Sequence, residues 1–159
     1  MRLWSYGGCL TLLFLVAMQV PVNAEESKSV PFPKLPKGAG EIDKDAPKSF
    51  SATKSGLKYR VLRAADGPKP KSTNTVNVNY HGWLDNGKVF DSSYARNEPI
   101  SFPLNAVIKG WTEGMQLVGE GGMIELEIPA ELGYGDRGAG AAIPPRSRLH
   151  FLVELRKVE

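Results

Sequence analysis

Few side chains in this sequence are able to carry covalent or acid–base chemistry. The 159 residues include two histidines and one cysteine, too few for a four-ligand zinc site, so no metal is expected. Ser92 and Ser93 follow Asp91, but no Gly-x-Ser-x-Gly elbow surrounds them and neither histidine has a recognisable role beside them. His81 and His150 both fall on the polar face of their segments, where a solvated histidine is expected. The glycine-rich run Gly133–Gly140 leads into Ile143-Pro144-Pro145; a phosphate loop needs a helix N-terminus behind it, and two prolines call for a turn instead. What remains is apolar and aromatic: Tyr80, Phe90, Phe102, Val107, Ile108, Trp111, Tyr134, Ile143 and Phe151. Taken singly, each suits an ordinary core. Trp111, at a helix start with Val107-Ile108 before it, is the best candidate for the floor of an open pocket. The chemistry of such a pocket is the exclusion of water.

Strands must position most of these residues. Val76, Val78 and Tyr80 alternate with Asn77, Asn79 and His81, the period of a half-buried strand. Asp85-Asn86-Gly87 then supplies an Asn-Gly hairpin turn, and Lys88-Val89-Phe90 begins the return. Ile124, Leu126 and Ile128 alternate with Met123, Glu125 and Glu127, and Leu149, Phe151, Val153 and Leu155 with His150, Leu152, Glu154 and Arg156. Leu57, Tyr59 and Val61 make a weaker case. One segment breaks the pattern: Ile108, Trp111 and Met115 have helical spacing, and Asn105 is placed to cap a short helix. The expected fold class is α+β, with four to five antiparallel strands curled around one short helix as a half-barrel.

Composition bounds the rest. The net charge of +3 is a small difference between 20 basic and 17 acidic residues mixed along the chain, which argues against nucleic acid as a partner. Gly 17 and Pro 12 call for many turns and few long helices. Residues 1–24 read as a signal peptide: Arg2, the apolar run Leu10–Val20, and Val22-Asn23-Ala24 before Glu25-Glu26. The apolar run is short for a retained anchor, so no membrane attachment is expected after cleavage. Cleavage after Ala24 also removes Cys9, leaving a fold indifferent to redox state. Residues 25–52, with Pro31, Pro33, Pro36, Pro47, five lysines and no apolar period, read as an extended, solvated, flexible linker. Residues 53–159 form the expected domain.

Phe90-Asp91-Ser92-Ser93, Arg96-Asn97, Pro99, Val107-Ile108-Lys109-Gly110-Trp111, and Gly133-Tyr134-Gly135 running to Ile143-Pro144-Pro145 resemble the FKBP-type peptidyl-prolyl isomerases. The motifs occur in family order from Gly56 to Glu159, and the resemblance is nearest to exported bacterial members such as the macrophage infectivity potentiator group. It implies an enzyme that twists X-Pro bonds in unfolded or partly folded exported polypeptides, in the periplasm or outside the cell, with no cofactor. It implies catalytic roles for Asp91, Tyr134, Trp111 and Phe151. Tyr80, Phe90, Phe102, Val107, Ile108, Ile143 and Arg96 would bind substrate, the Ile108 N–H holding a carbonyl. Macrolide inhibitors are implied ligands, although Ile100, Ala142 and Ala139 depart from common family residues at the pocket margin. The potentiator group's helical dimerisation segment has no counterpart before Ala52, so a monomer is expected. A non-catalytic module that grips proline-containing segments of unfolded chains is the competing reading, and the joint presence of Trp111, Tyr134, Asp91 and Phe151 favours the enzyme.

Overall fold

The computed structural model describes residues 30–159; the expected signal peptide lies outside the described residues. Among the described residues are seven strands: β1 (Ser51–Ala52), β2 (Lys58–Arg63), β3 (Thr75–Leu84), β4 (Val89–Ser92), β5 (Ile100–Pro103), β6 (Met123–Ile128) and β7 (Leu149–Val158). They form one antiparallel sheet in the order β1-β2-β6-β7-β3-β4, with β5 also on β3. β4 pairs with His81–Trp83 and β5 with Thr75–Val78, so the two share one edge of β3. Between them the chain leaves the edge as a four-residue helix, α1 (Ser93–Arg96). The pattern is the expected one plus β1 and β5, strands too short to show a period of their own.

β3 alternates as read: Val76, Val78, Tyr80, Gly82 and Leu84 are buried, and the residues between them half-buried. Gly87, at φ +79°, closes the hairpin to β4 with its N–H on the Leu84 carbonyl. Register shifts that leave one residue over in β2, β4 and β7 bend the sheet. The main core, including Leu57, Val78, Leu126, Leu149 and Val153, fills the concave side.

The second helix, α2 (Lys109–Gly114), lies across that concave side. Asn105 does not cap it. It sits in the 3-10 turn Leu104–Ala106, and the cap position falls to Ile108, which makes no side-chain cap. Thr112 ties the two turns together, its hydroxyl donating to the Leu104 carbonyl at 2.6 Å. A Cβ on Gly110 would stand 2.5 Å from Ile128, and one on Gly114 2.7 Å from Leu126. Two glycines four apart thus let the helix backbone lie directly on β6. That close seat turns Trp111 toward the open end of the concavity.

The reading of 25–52 as a solvated spacer is corrected for its described part. From Val30 the chain crosses the convex face and returns, with Leu35, Ala39 and Ile42 packed over Leu62, Met123, Leu152 and Trp83. Arg60, 1% exposed, holds its start. The guanidinium donates to Glu125 at 2.6 Å, to the Val30 and Pro31 carbonyls at 2.7 Å each, and to that of Lys48 at 3.2 Å. The rings of Phe32 and Phe50 lie 4.9 and 4.6 Å from it. A proline has no N–H to satisfy, so a proline-rich strap covers an apolar face without forming a ladder. The described part of this segment is therefore packed on the sheet.

Candidate functional site

An open cavity of about 650 Å³ lies between α2, the concave ends of β3, β4, β5 and β7, and the loop before β7. Trp111 is its floor. Three rings meet that indole edge-on: Tyr80 at 5.6 Å, Phe102 at 5.2 Å and Phe151 at 5.2 Å. Phe90 meets Phe151 edge-on at 5.4 Å. Edge-to-face packing fixes each wall through its neighbour. Gly82 makes the Phe90–Phe151 contact possible, since a Cβ there would come within 2.7 Å of Phe90 and 2.8 Å of Phe151.

One side of the rim is polar. Tyr80 points its hydroxyl from β3 and donates to Asp91. Arg96, the last residue of α1, donates to Asp91 at 2.5 Å and to the Tyr80 oxygen at 3.0 Å. The Ser92 N–H adds a fourth link, to Asp91 at 2.8 Å. Burial alone would raise the Asp91 pKa; the bonds from Tyr80 and Arg96 outweigh it and hold the carboxyl below its ordinary value. Burial, with the bond to Asp91, raises the Tyr80 phenol. A fixed carboxylate and a fixed phenol thus face the cavity with no tendency to exchange protons near neutrality.

The opposite rim is the loop before β7. Tyr134 stands 42% exposed over the opening, while Ile143 beside it is only 5% exposed. Ala139 and Ile143 exchange backbone hydrogen bonds at 2.8 and 3.1 Å, which gives the loop a rigid neck. No protein acceptor among the described residues takes the Ile108 N–H at the mouth.

Of the residues read from the sequence, Tyr80, Phe90, Asp91, Phe102, Val107, Ile108, Trp111, Tyr134, Ile143 and Phe151 all line this one cavity. Arg96 does not line it and reaches it through Asp91 and Tyr80. Ile100, Ala139 and Ala142 stand at its margin, and Ala106 joins them with no signal in the sequence to find it. The histidines lie elsewhere and are not the freely solvated groups expected. Both are half-buried against Trp83 on the convex face, at 5.7 Å for His81 and 5.6 Å for His150. His150 meets Asp85 at 2.7 Å, and His81 meets the Ser92 hydroxyl at 3.0 Å. The cavity lining holds no nucleophile with a partner base. It is built to desolvate a bound group and fix it with a few hydrogen bonds.

The sequence profile of FKBP-type peptidyl-prolyl cis-trans isomerases matches residues 67–156, which carry the cavity. A probable FKBP-type peptidyl-prolyl cis-trans isomerase of Haemophilus influenzae is 56% identical over 111 residues, 70% of this chain and 46% of that protein. The peptidyl-prolyl cis-trans isomerase Mip of Coxiella burnetii is 46% identical over 105 residues, 66% of this chain and 46% of its own length. The crystal structure of FkpA from Escherichia coli superposes with a TM-score of 0.67 at 50% identity, covering 69% of this chain and 51% of that one. The chain spans about half the length of the curated relatives it matches. A profile match over more than half of the chain, together with a fold shared at 50% identity, places this protein in the FKBP-type peptidyl-prolyl cis-trans isomerase family.

Proposed function

We propose that this protein catalyses cis–trans isomerisation of X-Pro bonds. The observation that carries the reading is the aromatic cavity floored by Trp111, with the Tyr80–Asp91–Arg96 rim on one side and Tyr134 on the other. Amide resonance sets a barrier of about 18–20 kcal/mol, and the planar ground state separates more charge than the twisted one. Moving the bond from water into an apolar cavity therefore destabilises the planar state more than the twisted one. Tyr80, Phe90, Phe102, Phe151 and Trp111 enclose the proline ring; Val107, Ile108 and Ile143 border it. The Ile108 N–H and the Tyr134 hydroxyl donate to substrate carbonyls, which fixes the chain on both sides of the twisting bond. Asp91, held by Arg96, orients Tyr80. Removing about 7 kcal/mol from the barrier gives an acceleration on the order of 10⁵. No proton leaves and no covalent bond forms.

The substrates under this reading are unfolded or partly folded exported polypeptides, met by a monomer in the periplasm or outside the cell after removal of residues 1–24. Macrolides that fill the same cavity are its inhibitors. Two-dimensional exchange NMR on a short X-Pro peptide, without a coupled protease, tests the reading: cis and trans signals should exchange in the presence of catalytic amounts of protein. Exchange no faster than in buffer, with the peptide bound, would establish the binding module instead.

A further inference from the structure

The ion pair that holds the pocket rim has little to steady it. Arg96 and Asp91 side chains are 48% and 43% exposed, and an exposed pair of flexible side chains fixes its own geometry poorly. Arg96 belongs to α1, a helix of four residues, too short to hold its shape alone. One end of α1 is anchored on β3, where the Ser93 hydroxyl accepts the Tyr80 N–H at 2.8 Å. The other anchor is on the convex face. Tyr94 lies against the tip of the N-terminal strap, with Gly38 placed so that a Cβ would touch its ring at 4.0 Å. The tip is a turn closed by the Ala39 N–H on the Pro36 carbonyl at 3.1 Å. It is pinned by the Gly40 N–H on Glu154 at 2.6 Å, and Arg63 bonds the same Glu154 oxygen at 3.4 Å. The Tyr94 hydroxyl is buried there beside Glu154, the carboxylate that pins Gly40, so ring and strap tip share one support.

We propose, taking the isomerase reading as given, that the strap is a positioning element of the active site: its Pro36–Gly40 tip, seated on Tyr94 and Glu154, fixes α1 and through it the Arg96 guanidinium on Asp91 and Tyr80. The strap touches no substrate. It acts from the opposite face of the sheet by removing the freedom of one short helix, and placement of a distant support is enough to set the geometry of reacting groups.

Gly38→Val tests this. Gly38 has φ +91°, which a β-branched residue does not adopt, so the tip must rearrange while every pocket residue is kept. The N–H groups of Asn97 and Glu98, which close α1 on the carbonyls of Tyr94 and Ser93, should exchange with solvent faster, while the amides of β7 keep their protection. The kcat/KM on an X-Pro peptide should fall roughly threefold to tenfold. In an Arg96→Ala background the same change should cost nothing further, because the residue it positions is gone. Tyr94→Ala opens the contact from the α1 side and should behave alike if Gly38→Val fails to fold. Native α1 protection with unchanged kcat/KM once the tip is displaced would overturn the proposal, and so would an equal loss in the Arg96→Ala background. Should the wild-type protein not isomerise the peptide, the isomerase reading fails, and the exchange of Asn97 and Glu98 still decides whether the strap holds α1.

Discussion

The two faces of the sheet are built from the same strands and treated in opposite ways. On β7, Phe151 and Val153 look into the concavity, while Leu152 and Glu154 look out to the strap. The convex face carries apolar Leu62, Met123 and Leu152, and the chain covers them with its own N-terminal segment. On the concave side six aromatic rings line an opening of about 650 Å³, and nothing in the described chain closes it. Covering apolar surface is the default, so apolar surface left open on one face alone marks where a ligand belongs. The charges divide the same way. Arg60 and Glu125 on the convex side are enclosed and serve cohesion; Arg96 and Asp91 on the rim are half-exposed and serve orientation.

Breaking the convex face should give the largest loss of stability. Arg60→Leu leaves the Glu125 carboxylate and the Val30 and Pro31 carbonyls without their donor, and removing one member of a buried pair costs about 3–5 kcal/mol. Urea denaturation should find a midpoint lowered accordingly. Adding Glu125→Leu should recover only part of that, since the carbonyls of Val30 and Pro31 stay without the Arg60 donor, while that of Lys48 keeps the Val30 N–H. Full recovery would mean that Arg60 does not hold the strap.

Breaking the pocket floor should cost somewhat less stability and nearly all activity. Trp111→Ala removes the ring on which Tyr80, Phe102 and Phe151 rest, a change of about 3 kcal/mol because one side of the indole already borders open space. X-Pro exchange should drop to near the uncatalysed rate in the fraction that remains folded. Tyr80→Phe is gentler. It keeps the wall and deletes the hydroxyl that links Asp91 and Arg96, so stability should change by under about 1 kcal/mol while kcat/KM falls a few-fold.

The smallest expected effect is that of pH. Asp91 is held below its usual carboxylate range and Tyr80 above its usual phenol range, so neither titrates near neutrality. Burial lowers His81 from its ordinary 6.5, and that ring lies outside the pocket. Isomerisation should be flat from about pH 6 to 8. The sign for Asp91 is that of a group depressed in the folded state: its contribution is present above the ordinary value of 3.8 and is lost as pH falls through the lowered one. A tenfold swing in rate near pH 6.5 would contradict this account.

The concave face was readable in the sequence because period two along β3, β6 and β7 sorts residues between faces, and because Trp111 and its neighbours fall on a helical spacing. The strap was not. Its contacts come from Leu35, Ala39 and Ile42 in an irregular path, and its anchor is an arginine that alternation assigns to a solvated face. Leu152 was the available clue, since a leucine on the polar side of a strand asks for a cover. β5 escaped because a strand of four residues, with Ile100 and Phe102 alone on one side, is too short to make a pattern. Asn105 suits a cap by type, but the Leu104–Ala106 turn spends it one turn too early.

On the proposed function, the concave face isomerises X-Pro bonds and the convex face does not. Exchange NMR on one X-Pro peptide, run in parallel on the wild-type protein, Asp91→Leu and His150→Ala, tests it most directly. Asp91 is on the rim, and its loss frees Tyr80 and Arg96; His150 lies behind the sheet, stacked on Trp83. Rapid exchange with wild type, a rate lowered roughly tenfold in folded Asp91→Leu, and no change in His150→Ala are expected. Exchange that survives in Asp91→Leu and fails in His150→Ala would contradict it.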